Sequence, residues 1–228
     1  MCTRYLLLRR AKALAAALGL DNAPDIAPRY NAAPRQALPI VRHKRSVTKR
    51  EATLVRWGFE PSGGADGVAR GPLINARAET AAERPSFRDS FRTRRCAVPA
   101  DGFYEWEHTG AGPMPWLFEP ASGDELLLFA GLWTATPETA FTILTTGPNA
   151  LIAPFHDRMP ALIPLAALDE WLDPATPPPR LAQLLAPWPA EALRARPVHP
   201  RLNKATCDEP ACLEPPPVTL RQLDLGFG

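Results

Sequence analysis

The chain has 228 residues, 46% hydrophobic and 22% charged, a composition that excludes a disordered chain and allows one domain with a substantial core. It contains no run of about 18 apolar residues, which excludes a membrane-spanning helix. A formal net charge of +2 gives no whole-protein field announcing a polyanionic partner, and four cysteines are too few for a dense disulfide framework, in keeping with a reducing cytoplasm.

The chain opens MCTRY, with Cys2 directly behind the initiator methionine. Cys2 is small enough to permit methionine removal. Cleavage would place an α-amine and a thiol on one residue, two nucleophiles able to close a five-membered ring on a single aldehyde. A thiol with no such task fits the position as well. The next stretch, YLLLRRAKALAAALGL, has Arg9, Arg10 and Lys12 inside its apolar run instead of ahead of it, so it predicts an amphipathic helix closed near Gly19 and not a signal peptide.

From about 38 to 165 the pattern is strand-rich. ALPIVRH, ATLVRWGF, RCAVPA, GFYEWEH, PWLFEP, LLLFAGLWTA, AFTILTT and ALIPL are short β-branched or aromatic segments separated by turn residues. Many strands with few helices between them predict one α+β domain, 1–228, with a curled, barrel-like mixed or antiparallel β core flanked by helices. Gly63, Gly64 and Gly67 lack the GxGxxG spacing of a dinucleotide site and predict a loop. The prolines crowded after about 170 predict short helices and loops wrapped over the earlier core.

Basic residues gather in two stretches, Arg42, Lys44, Arg45, Lys49 and Arg50 in one, Arg84, Arg88, Arg92, Arg94 and Arg95 in the other. Each is either a solvated face or part of a nucleic-acid surface. Three polar residues stand in apolar settings: Asn75 in PLINARAET, Glu105 in DGFYEWE and His156 in APFHDRMP. A turn Asn, an edge-strand Glu and a core His are the bland alternatives. Strand alternation puts Phe103 on the face of Glu105, and an apolar wall there would lift the carboxyl pKa toward a proton-donating range. His156 can move a proton near neutral pH. Arg77 and Arg158 are fork-shaped donors suited to phosphate, or surface ion-pair partners of Glu79 and Asp157. Trp57 either stacks on a base or fills the core. Cys96 reads as a buried apolar side chain, and Cys207 and Cys212 as surface or core thiols, since their spacing with His199 matches no zinc pattern.

The N-terminal MC with Arg4, then RYNAAP, RWGFEP, NARAET, RRCAVPADGFYEW, FAGLW, TILTT and HDRMP, in that order, resemble the SOS response-associated peptidase (SRAP) family of abasic-site processing proteins over about residues 2–165. The resemblance implies a cytoplasmic protein, nucleoid-associated in a prokaryote, that crosslinks itself to abasic sites in single-stranded DNA without cofactor or metal and as a monomer. It implies catalytic roles for Cys2, Asn75, Glu105 and His156, and DNA contacts by Arg77 and Arg158 near the lesion, with Arg4 and Trp57 alongside. Side activity as a lyase or self-cleaving peptidase also follows from it. Thr3 and Gly63 depart from the family, which usually has glycine at the first position and a second tryptophan at the other. Two other readings remain, a thiol hydrolase using Cys2 and His156 and a non-catalytic single-strand binding module.

Overall fold

Tyr5, Leu6 and Leu7, expected to begin a helix, form strand β1 (Tyr5–Leu7), and only the second half of that apolar run is helical, as α1 (Ala11–Leu18). The reason is tertiary: β1 is hydrogen-bonded on both edges and all three of its residues are buried, so a long-range ladder overrides local helix preference. The Asp101 carboxylate then accepts the Leu8 and Arg9 N–H groups at 2.6 and 3.2 Å, ending the strand before the helix starts. Gly19 closes α1 in the left-handed conformation, φ 63°, as its position in the sequence predicts.

The computed structural model describes residues 2–44, 49–60, 71–110, 112–135 and 139–217. Met1, Arg45 and the glycines at 63, 64 and 67 lie outside the described residues. After α1 come β2 (Arg29–Ala32), β3 (Ala37–His43), β4 (Arg50–Trp57) and β5 (Asn75–Arg77). The short helices α2 (Ala78–Ala81) and α3 (Arg88–Thr93) follow. Then β6 (Arg95–Ala100), β7 (Gly102–Thr109), β8 (Gly112–Pro120), β9 (Leu127–Thr134), β10 (Ala140–Thr146) and β11 (Met159–Pro160) run almost without interruption. Helices α4 (Leu168–Leu172) and α5 (Pro178–Leu184) and strand β12 (Leu193–Pro197) end the regular structure.

Two sheets result. One has the order β12-β8-β7-β1-β2. The other runs β11-β10-β4-β3-β6-β9, and β9 pairs back onto β10, so five of its strands close a ring. Closure removes the exposed edges that an open sheet would present. Strand β10 runs parallel to β4 and β5 and antiparallel to β9 and β11, which makes the ring mixed. This is the α+β, barrel-like core that the strand-rich pattern predicts. ALIPL, expected as a strand, forms no strand of its own: Leu162 makes an isolated bridge to Phe129, the Ala161 and Ile163 N–H groups donate to the Leu144 and Leu128 carbonyls, and Pro164 ends the segment. The proline-rich segment does form short helices, but it also adds β12 to the five-stranded sheet.

Aromatic side chains fill the space between the sheets. Trp57 is fully buried, stacks on Phe141 at 6.0 Å, and donates its indole N–H to the Ile74 carbonyl at 2.8 Å. It is therefore a core residue, and the expectation that it contacts DNA is corrected: no face of the indole reaches solvent. Gly58 beside it has φ 117°, and a Cβ there would lie 2.8 Å from Pro72 Cβ, so this turn admits only glycine. Cys96 is buried, as expected.

Several residues of the two basic stretches already have partners within the protein, while Arg84, Arg88 and Arg92 are exposed. Arg42 pairs with Glu51, Lys49 with Asp21 and Arg50 with Asp169. Arg95 is buried and donates to the carbonyls of Trp171 and Phe91, both at 2.6 Å, and of Asp173, bracing chain segments around α3 and α4. Among the described residues no helix is long and apolar enough to cross a membrane.

Candidate active site

Strand β7 sets the site. Its residues Gly102 and Phe103 pair with Leu6 and Tyr5 of β1, and the Tyr104 N–H still reaches the Arg4 carbonyl at 3.2 Å. Beyond that bond, β8 is the strand that pairs with β7 among the described residues. The opening between β7 and the N-terminal residues is a groove of about 390 Å³. Thr3, Arg4, Glu105, Trp106, His156 and Asn203 are among the residues that line it.

Glu105 shares its strand face with Phe103, as alternation predicts. Phe103 stacks on Phe118 at 5.3 Å, and Phe155 meets both Phe118 and Trp116, each at 5.2 Å. Trp116 is also the cross-strand partner of Glu105. This apolar wall leaves Glu105 only 3% exposed and pushes its carboxyl up to about 7; burial is the main cause and the Asp157 carboxylate adds to it.

Phe155 also carries the next residue, His156, to the groove. Its turn is fixed by Asn149, whose side-chain oxygen accepts the Leu151 and Ile152 N–H groups at 3.1 and 3.0 Å. His156 Nδ1 accepts the Arg158 N–H at 2.9 Å, which in the neutral ring leaves the proton on Nε2. Asp157 Oδ1 lies 2.8 Å from the same Nδ1 and can receive its N–H once the ring is protonated. Burial nevertheless holds the His156 pKa below its ordinary value. A carboxyl raised toward neutrality and an imidazole kept neutral form a pair able to exchange protons at physiological pH.

Cys2 is fully buried, with its sulfur 3.8 Å from the Arg4 carbonyl. Burial, reinforced by Glu105, pushes the thiol well above its ordinary pKa. Asn75, on β5, which pairs with β10 beside the ring, donates its side-chain N–H to the Cys2 carbonyl at 2.9 Å, joining the two sheets at the N-terminal end of the chain. The Asn75 Oδ1 is buried without a hydrogen-bond partner. Arg4 donates to Asn31 Oδ1 at 3.1 Å and to the Leu202 carbonyl at 3.4 Å, which holds it along the groove.

Arg77 is exposed two residues beyond Asn75. Arg158 makes an ion pair, but with Glu79, 79 residues away, and not with its neighbour Asp157: two hydrogen bonds of 2.8 Å join them, with a further bond to the Thr145 carbonyl. Cys2, Arg4, Asn75, Glu105 and His156 are thus gathered at one place, with Arg77 at the end of β5 and Arg158 just before β11, two strands that both pair with β10. Trp57 is not among them.

Trp106 and Asn203 escaped the sequence reading. The Trp106 indole donates to Asn203 Oδ1 at 2.7 Å, and Asn203 Nδ2 donates to the Pro113 carbonyl at 3.0 Å, so a residue from the C-terminal segment fixes an aromatic ring in the groove wall. Trp106 adjoins Glu105 in sequence and could have been weighed there. Nothing local marks Asn203. Among the described residues no group of three or more His, Cys, Asp or Glu side chains is arranged to hold a metal ion.

The family model described as "SOS response associated peptidase (SRAP)" matches residues 1–205, further along the chain than the motifs at 2–165 reach. The abasic site processing protein YoqW of Bacillus subtilis is 33% identical over 224 residues, covering 94% of this chain and 99% of the relative. The abasic site processing protein HMCES of Gallus gallus is 29% identical over 223 residues, covering 82% of this chain and 66% of the relative. A crystal structure of a Bacteroides thetaiotaomicron protein has the same fold, with a TM-score of 0.80 at 24% identity over 94% of this chain and 99% of the other.

Proposed function

The chain belongs to the SRAP family, and from that premise we propose that it processes abasic sites in single-stranded DNA by forming a covalent bond to them through Cys2. The observation that carries this reading is the hydrogen bond from Asn75 to the Cys2 carbonyl, which fixes the first residues of the chain beside a groove containing Glu105 and His156. The names of the relatives, abasic site processing proteins, point the same way.

The chemistry follows from the lesion. An abasic deoxyribose is mostly a closed hemiacetal in equilibrium with an open-chain aldehyde at C1′. Opening transfers a proton between the hydroxyl and the ring oxygen, work suited to Glu105 and His156. After Met1 is removed, the Cys2 α-amine, with an ordinary pKa of about 7.7 to 8.0, is substantially neutral and adds to the aldehyde. Loss of water gives an iminium. The Cys2 sulfur then adds to the same carbon and its proton passes to a base, closing a thiazolidine. The second addition is intramolecular, so proximity favours it strongly. A cysteine elsewhere in the chain lacks the amine. Burial of the thiol keeps it protonated before the lesion arrives, and Arg77 and Arg158 are suited to the flanking phosphates.

The test is a denaturing gel of the protein, shown by intact mass to lack Met1, after incubation with oligonucleotides that differ only in one abasic site. A heat-stable, lesion-dependent adduct is expected. Cys2→Ala should be captured only when borohydride is present, since it keeps the amine and loses the ring-closing sulfur. Failure of the Met1-free parent to form an adduct would refute the reading. A thiol hydrolase or a simple binding module would leave no covalent product.

A further inference from the structure

We propose that Cys207 and Cys212 form a reversible dithiol–disulfide site that locks the C-terminal segment against the N-terminal wall of the groove. Their sulfurs are 3.2 Å apart with no atom between them, so about 1 Å of approach completes a bond of about 2.05 Å. Cys212 is fully buried beside Leu6, Tyr104 and Leu202, whereas Cys207 is partly exposed and open to an oxidant. The backbone already turns the two together, through N–H bonds from Cys207 to the Lys204 carbonyl at 3.0 Å and from Cys212 to the Glu209 carbonyl at 2.9 Å.

What the bond would fasten is given by the residues between and before the pair. Asp208 accepts the Tyr30 and Asn31 N–H groups at 2.6 and 2.9 Å and pairs with Arg29 at 2.9 Å. The Cys207 carbonyl accepts from Asn31 Nδ2 at 2.8 Å, and the other end of that amide holds Arg4. The sulfur pair therefore sits at one end of a chain of hydrogen bonds whose other end is in the groove.

The reaction partner is a small-molecule disulfide of the glutathione class. The Cys207 thiolate attacks one oxidant sulfur, the oxidant's S–S bond breaks, and one small thiol leaves. Cys212 then gives up its proton and attacks the Cys207 sulfur, expelling the second small thiol. Two protein thiols are oxidised by two electrons and one disulfide is reduced to two thiols. Burial and the adjacent Cys212 sulfur push the Cys207 thiol up to about 11, which keeps its thiolate fraction small at neutral pH, so the first exchange step is slow there and quickens as pH rises.

The test needs no DNA and is independent of the proposed function. The full chain is incubated with glutathione disulfide, alkylated under denaturing conditions, digested without reductant and mapped by mass spectrometry. The expected product is one peptide pair linked through Cys207 and Cys212, lighter by two hydrogen atoms, with Cys2 and Cys96 fully alkylated. Cys212→Ser should instead accumulate a glutathione adduct on Cys207, and Cys207→Ser should carry none. A wild-type pair that stays reduced, or that stops at the mixed disulfide, overturns the proposal.

Discussion

Glu105 is the residue whose environment most clearly departs from that of a surface carboxylate. Its ordinary pKa of 4.5 becomes about 7 in the fold. Between those values the native state binds more protons than the unfolded chain, so stability falls as pH rises through the window, by up to about 3 kcal/mol. Glu105→Gln stays neutral throughout. It is expected to gain stability over the parent progressively from pH 4.5 to 7 and to hold a constant lead above, as urea unfolding at several pH values would show; equal pH profiles would mean the carboxyl is not held protonated by its wall. This wall was legible in GFYEWE, because strand alternation alone places Phe103 with Glu105. The fate of Trp57 was not, since an indole beside a turn suits a stacking platform and a core equally. Only the pairing of β4 with β10 puts it against Phe141.

At the scale of elements, the strands named from sequence nearly all exist, because their alternation and their turn residues agree. RCAVPA, ALPIVRH and AFTILTT match β6, β3 and β10 residue for residue. The N-terminal segment was misread where local preference and tertiary pairing conflict: LLL followed by an alanine-rich run favours a helix locally, and no short-range signal reveals that β2 and β7 flank it. The junction of β1 and β7 is also where the site depends on a single glycine. A Cβ on Gly102 would lie 2.8 Å from both Leu117 Cδ1 and the Phe118 carbonyl. Gly102→Ala is therefore expected to cost about 1 to 3 kcal/mol, the usual range for overpacking. Three residues along the same strand stands Glu105, so lesion capture should slow as well. Denaturant unfolding together with capture kinetics checks both, and an unchanged unfolding midpoint would show that the β7–β8 pair can spread at no cost.

For the whole molecule, the question is how a chain of net charge +2 engages a polyanion. The two basic stretches suit either a solvated face or a nucleic-acid surface in sequence, and Arg42, Lys49, Arg50 and Arg95 are paired with carboxylates and carbonyls of the protein itself. What remains at the site is Arg4, Arg77 and Arg158, brought together by three chain segments that lie far apart in sequence, and Arg158 must share its guanidinium with Glu79. Neutralising about three phosphates of a single strand gives a slope of about −2 for log affinity against log salt. That slope is the expected result when Cys2→Ala, which cannot form the stable adduct, is titrated with an unmodified oligonucleotide by fluorescence anisotropy across a salt series. Arg77→Ala should make it shallower by about 0.7. A slope steeper than about −4 would mean that phosphates outside the groove are neutralised too, and the exposed arginines at 84, 88 and 92 would then be the first to substitute. A shallow slope would leave affinity to the groove itself, where the Trp106 ring pinned by Asn203 would serve as a stacking face and the proposed covalent step would make tight initial binding unnecessary.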